Sequence, residues 1–250
     1  MFNIVTVQKP PVQALRQDGL SLLPAADFTA SLGLAAPRWA NEWNELGTSW
    51  NRLPPDAHLK DGGHYRRRRH ACFIQHLAGM TLTQTPHRAH WQPTDYNALH
   101  GGFERWFEPV EPGVAQALAW TELVLSLGQL FGQVRPVPRW YIEAHQFRID
   151  TAGGVSRPTP EGAHRDGVDF VVVLMVARRG VKGGETRVFD ANGPDGIRFV
   201  MQEPLTALLL DDERVIHETT PLFPADDQVP GNGLRDTLVL TYRASGFQAP

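Results

Sequence analysis

A mainly β fold with flanking helices, a sandwich or jelly roll, is what this 250-residue sequence predicts. Two observations carry the prediction. The second half breaks into short β-rich pieces separated by glycine, proline and asparagine. The first half holds two apolar stripes at helical spacing, which suit helices packed on a sheet. With 42% hydrophobic residues the chain can bury an ample core, and residues 1–250 read as one domain.

Trp39, Trp43, Leu46 and Trp50 fall at i, i+4, i+7 and i+11, on one helical face, and Pro37 suits the first turn. Three tryptophans on one stripe could form a binding platform, but a helix burying its aromatics against a sheet is the plainer expectation. Ala117, Trp120, Val124, Leu127 and Phe131 make a second stripe after Pro112-Gly113. Residues 140–149 read as a strand, and 168–177 is a nearly continuous apolar run that fits a strand buried on both faces. Shorter strands follow at 186–189, 197–201, 205–210 and 237–242. Turns are expected at Gly153-Gly154, Gly183-Gly184, Asn192-Gly193 and Gly231-Asn232-Gly233. The polar, Pro/Gly-rich segment 223–234 is expected to be a loop near the site. The chain thus divides into a mixed, partly helical buttress with strands over 1–139 and core strands over 140–245.

Composition narrows the function. A net charge of −3 advertises neither nucleic acid nor an anionic membrane as partner. Cys72 is the only cysteine, which leaves no disulfide framework and no thiolate zinc site. Met1-Phe2-Asn3-Ile4-Val5 lacks the basic-then-apolar pattern of a signal peptide, and no long apolar stretch follows. The expectation is a soluble cytoplasmic protein acting on a small molecule.

The chemistry concentrates in four motifs. His164-Arg165-Asp166 lies between Gly162 and Gly167, and His217 follows at the end of the apolar run around Val215-Ile216. Two imidazoles and a carboxylate can hold one face of an iron(II) ion and leave positions open. His164 and Asp166 are two apart, so on a strand they share a face. Gly183-Gly184-Glu185-Thr186 is a tight turn entering a strand. Arg235-Asp236-Thr237 opens the last strand. Iron(II) with one carboxylate ligand keeps a positive charge, a dicarboxylate co-substrate brings two negatives, and Arg235 with Thr237 could receive the far carboxylate. That set is near neutral, as burial requires.

Each residue also has a plainer reading. His164 and Asp166 could be a surface-turn pair, His217 a hydrogen-bonded strand-end histidine, and Arg235 a surface cation beside Asp236. Asp211, Asp212 and Glu213 read as a solvated turn, and Glu185 as a structural acceptor. The run from Arg66 to Arg69 resembles a nucleic-acid patch, yet its strand-like sequel implies that alternate arginines face opposite ways. One of them, such as Arg68, could then reach a substrate carboxylate. On the strand 140–149, Tyr141, Glu143, His145 and Phe147 share one face. Gln146 and Arg148 share the other, which is expected to face co-substrate or substrate. Glu143 is a further substrate candidate, and Thr159 and Ser156 are candidates for co-substrate contact.

The order H-x-D, His, Arg-x-Thr, with Gly184-Glu185-Thr186 between, resembles the 2-oxoglutarate/iron(II) dioxygenases of the double-stranded β-helix (jelly-roll, cupin-like) fold. Several further strings narrow the resemblance. They are Leu59-Lys60-Asp61-Gly62-Gly63-His64-Tyr65 leading into Arg66, Tyr96-Asn97-Ala98-Leu99-His100-Gly101-Gly102, and His145-Gln146-Phe147-Arg148. These are similar to the bacterial group that hydroxylates free amino acids, typified by isoleucine dioxygenase. The resemblance implies that His164, Asp166 and His217 hold iron(II), and that Arg235 and Thr237, with Gln146 and Thr159 nearby, hold 2-oxoglutarate. It implies that dioxygen is consumed, succinate and carbon dioxide are released, and an unactivated C–H bond of a free L-amino acid or small derivative is hydroxylated. Where the group has glutamine, this chain has Arg165, a departure that bears on substrate. A non-catalytic cupin-like sensor and a zinc hydrolase using the same three residues are the alternatives. A nucleic-acid-modifying oxygenase would need a broad basic surface.

Overall fold

The computed structural model describes residues 9–97, 99–225 and 233–250. The expectations for Met1 to Val5, Ala98, and the 226–232 part of the 223–234 segment lie outside them. The first half forms α1 (Pro11–Asp18), β1 (Leu20–Leu23), α2 (Ala25–Ser31), α3 (Pro37–Gly47), β2 (Arg66–His76), β3 (Thr81–Gln84), α4 (Pro112–Ala115) and α5 (Leu118–Val134). The second half is β-rich: β4 (Arg139–Asp150), β5 (Phe170–Arg179), β6 (Val181–Gly183), β7 (Thr186–Asp190), β8 (Gly196–Phe199), β9 (Ala207–Asp211), β10 (Val215–Thr219), β11 (Leu222–Pro224) and β12 (Leu234–Arg243).

The architecture is mostly β and antiparallel. Seven strands make the main sheet in the order β1-β9-β5-β12-β4-β2-β3. A smaller sheet, β10-β7-β8, and the pair β11-β6 complete it. Strands β1, β2 and β3 of the first half are therefore members of the main sheet, and β2 pairs with β4 over its whole length.

Period-2 alternation sends each strand's residues to two different cores. On β5, Val172 and Leu174 join Trp120, Leu123 and Phe131 on the helix side, while Val171 and Met175 join Val188, Leu208 and Val215 on the other. That is why 168–177 reads as a continuous apolar run: both faces are covered. Helix α5 buries the expected stripe of Trp120, Val124, Leu127 and Phe131. Phe131 stacks on Phe170 with centroids 4.4 Å apart.

The first tryptophan stripe is a buried helix face, with one correction. Pro37 occupies the first turn, and Trp39 and Trp43 stack at 5.5 Å. The helix stops at Gly47, a weak helix former. Trp50 sits instead in a 3₁₀ turn, Thr48–Arg52, which sends its Nε1–H to the carbonyls of Phe147 and Thr237 at 3.1 and 3.2 Å. Val215 and His217 likewise belong to a strand of their own, β10, paired with β7. Among the described residues, no helix is long and apolar enough to cross a membrane.

Candidate active site

Between the main sheet and β10 lies a cavity of about 130 Å³. At about 30 Å³ per water that admits about four waters, a space for small molecules. Arg235, Thr237, Val239 and Thr241 alternate along β12 and all line it, which settles the face that alternation alone left open. In register across the sheet, Ile149 of β4 lies between Arg235 of β12 and Arg66 of β2, and Phe147 lies between Thr237 and Arg68. All six line the cavity.

His164, Asp166 and His217 converge on the opposite wall, with one donor atom from each within 4.8 Å of the others. His164 is not on a strand, contrary to expectation: it makes a single bridge to His217. Gly162 and Gly167, both at positive φ, bracket the segment and turn the chain out of extended conformation at either end. At Gly167 a Cβ would also strike the Tyr96 ring at 2.5 Å. Asp166 oxygens face His164 Nε2 at 3.9 Å and His217 Nε2 at 3.8 Å. Both separations are below twice a metal–nitrogen bond of about 2.1 Å, so one ion can bridge either imidazole to the carboxylate. His164 Nδ1–H donates to the Gly162 carbonyl at 2.9 Å, which leaves the Nε2 lone pair free for a metal. Burial disfavours a charged His164, but Asp166 and Glu161 outweigh it and raise its pKa. Burial, then His164, pushes His217 down to about 4.

Asp212 is fully buried beneath this segment, which corrects the solvated-turn reading. Its carboxylate accepts the backbone N–H groups of Asp166, Gly167 and Val168 at 3.0, 2.7 and 3.1 Å. Burial first, then Asp166, raises its pKa to about 7. Glu185 has the structural role expected, accepting from Arg187 Nε at 2.8 Å.

The other predicted residues divide. Arg235 and Thr237 are 4% and 2% exposed and face the cavity; burial, then Arg178, lowers Arg235 to about 10. Thr159 also lines it, but its hydroxyl is engaged twice, with the backbone of Thr219. Arg68 lines it as anticipated, and Arg66 joins it from the same face. Arg67 and Arg69 turn away, to Asp150 and to the Pro109 carbonyl.

Gln146 and Arg148 are corrected. They sit on the helix-side face of β4, where Gln146 donates to Ser49 at 2.9 Å and Arg148 pairs with Asp236 at 2.7 Å. Ser156 is buried away from the cavity lining, and Arg165 lies over the Tyr96 ring outside that lining.

Glu143 has a different setting from the one expected. His70 Nε2 and His90 Nδ1 both donate to one of its oxygens, at 2.8 and 2.6 Å, and His145 Nε2 stands 3.8 Å away. Burial alone would raise Glu143; the facing imidazoles outweigh it and hold the carboxyl below the usual range. Three histidines and a glutamate could hold a metal by composition. The hydrogen bonds oppose it: Arg68 Nη2, a donor only, meets His145 Nδ1 at 2.8 Å. His145 must accept there, so its proton lies on Nε2, toward Glu143.

Several cavity residues escaped the sequence reading. Gln92 donates from Nε2 to Asp166 Oδ1 at 3.0 Å and accepts on Oε1 from Arg105 Nη2 at 2.8 Å and Asn97 at 3.1 Å. Isolated polar residues in loops offer no periodicity to find them by. Asn97 and His100 lay inside a string that carried the resemblance, and that was their only signal.

Comparison with known proteins agrees with this geometry. A family model described as 2OG-Fe dioxygenase matches residues 47–241. The chain is similar to a bsmA homolog from Methylobium petroleophilum PM1, with 55% identity and a TM-score of 0.89 over 96% of this chain and 94% of that one. IDO from Bacillus thuringiensis shares the fold at 16% identity, TM-score 0.76, over 98% of this chain and 100% of that one. So does the Fe(II)/(alpha)ketoglutarate-dependent dioxygenase TqaL, at 21% identity, TM-score 0.69, over 93% and 85%. No curated protein matches.

Proposed function

The chain belongs to the 2OG-Fe dioxygenase family, and from that premise we propose that it hydroxylates a free L-amino acid or a small amino-acid derivative at an unactivated C–H bond. As a family member it is an oxidoreductase using iron(II), 2-oxoglutarate and dioxygen. That sets aside the non-catalytic cupin-like and zinc-hydrolase readings.

His164, Asp166 and His217 would hold the iron, and the donor set fits. Two imidazole nitrogens and a carboxylate suit iron(II), His164 Nε2 is free of any donor role, and Gln92 and Asp212 hold the Asp166 side chain and backbone. Iron bound there supplies the coupling of 2-oxoglutarate decarboxylation to oxygen insertion. The rest falls to the protein. Arg235, with Thr237 beside it, takes the far carboxylate of 2-oxoglutarate as a planar donor. The main sheet and β10 enclose the reactants and limit bulk water.

The single observation that carries the amino-acid reading is the pairing of charges in one small cavity. Arg66, Arg68 and Arg105 supply cationic groups and Glu161 an anionic one, as a zwitterion requires. A cytoplasmic location fits the buried, free Cys72. The test is anaerobic iron loading followed by a succinate-release screen over the proteinogenic amino acids, with mass detection of a gain of one oxygen atom. At least one free amino acid should stimulate succinate release and gain the oxygen. Stimulation only by peptides or nucleic acids would overturn the reading.

A further inference from the structure

We propose that Arg66, Arg68 and Arg105 form an anion subsite that binds the carboxylate of the primary substrate, distinct from the Arg235 subsite; this rests on the amino-acid reading above. The substrate class it implies is an α-amino acid with a free carboxylate, not an amide, an ester or an internal peptide residue.

The first observation is unmet donor capacity. The three arginines are 5%, 4% and 2% exposed and line the same cavity. Each keeps a buried guanidinium N–H with no partner: Arg66 Nη2, Arg68 Nε and Arg105 Nε. Buried donors are ordinarily satisfied, so three from neighbouring residues call for an acceptor. A carboxylate, with about four lone-pair sites, has the acceptor capacity that such a cluster lacks.

The second is charge. Arg66 is paired with Asp56 at 2.6 Å, and Arg68 reaches Glu143 only through His145. Arg105 donates to the neutral Gln92. With Glu161 of the cavity wall, three cations meet three carboxylates, and a zwitterion enters that set without changing its balance. Glu161 also lines the cavity and has its Oε2 buried without a partner, an acceptor suited to the substrate ammonium.

The third is position. Arg66 and Arg235 flank Ile149 in register, two strand spacings or about 10 Å apart. One side chain, Gln92, links Arg105 to Asp166. A substrate held by its carboxylate at Arg105 therefore lies within a short reach of the metal donors, while 2-oxoglutarate occupies the β12 side.

The experiment is anaerobic titration calorimetry of the full chain loaded with iron(II) and 2-oxoglutarate. The probes are the proteinogenic L-amino acids, the matching carboxamides, and a set of simple carboxylic acids without an amino group. A free amino acid should bind, and its carboxamide should bind at least about 100-fold more weakly. Arg68→Gln and Arg105→Gln should weaken the amino acid by about 10- to 100-fold, the scale of a lost charge-assisted hydrogen bond. The affinity for 2-oxoglutarate, titrated separately, should move less than about threefold. The comparison of acid with amide in the unaltered protein stands even if a variant fails to fold. Equal binding of acid and amide, or variants that weaken 2-oxoglutarate instead, would overturn the subsite and leave the amino-acid reading intact. Arginine-dependent binding of simple carboxylic acids alone would overturn the amino-acid reading and support the subsite. Binding of no probe would overturn both.

Discussion

Asp212 illustrates how much a single buried carboxylate can do. Three backbone N–H groups of the metal-donor segment end on it, in a stretch that joins no strand ladder and is bracketed by positive-φ glycines. Asp212→Ala leaves three half-buried donors unmet. We expect iron affinity to fall about 10- to 100-fold, as for other groups that orient ligands, with the loss read by anaerobic metal titration. His164→Ala and Asp166→Ala should abolish both iron binding and turnover; a metal-checked sample of either that retains activity would refute the ligand assignment. His164, Asp166, Arg235 and Thr237 were legible as candidates that line one cavity because each stands in a short motif, and His217 because an apolar run ends on it. Asp212 was not, because an acidic triplet reads as a turn until burial is known.

At the level of elements, strand parity decides what each side chain can reach. On β4 the odd-numbered residues His145, Phe147 and Ile149 face the cavity, while Gln146 and Arg148 face the helices. Polarity suggested the reverse. Buried pairing explains the failure: Arg148 is neutralised by Asp236, and Gln146 is anchored to Ser49. The basic run on β2 follows the same rule, two arginines in and two out. Helix α5 backs this sheet through a stacked Phe131–Phe170 pair. Phe131→Ala should cost about 3–5 kcal/mol, the usual range for emptying a core aromatic site. Chemical denaturation measures it, and a loss below about 1 kcal/mol would mean that the helix is not a support of the sheet.

Across the whole molecule, buried histidines tie stability to pH. Burial, against the pull of Glu143, lowers His90 to about 4, and burial also lowers His70 and His145. In the unfolded chain these groups titrate near about 6.5. The unfolded state therefore binds more protons below that pH. The stabilisation is full above about pH 6.5 and lost as pH falls towards 4, at up to about 1.4 kcal/mol per pH unit for each such group. Calorimetric melting of metal-free protein should show a falling midpoint across that window, and His90→Gln should make the fall shallower. An unchanged slope would assign the protons elsewhere.

The sequence by itself determined the fold class, the two buttressing helical stripes, the doubly buried strand and the metal motif, because periodicity and short spacings are local properties of a chain. Only the tertiary structure decided which face of each strand meets the cavity. It also brought Gln92 to Asp166, Asp212 beneath the donor segment, and β2 beside β4. Those contacts join residues 44 to 83 positions apart, and pairing at that distance depends on how the sheet closes, which no local pattern encodes.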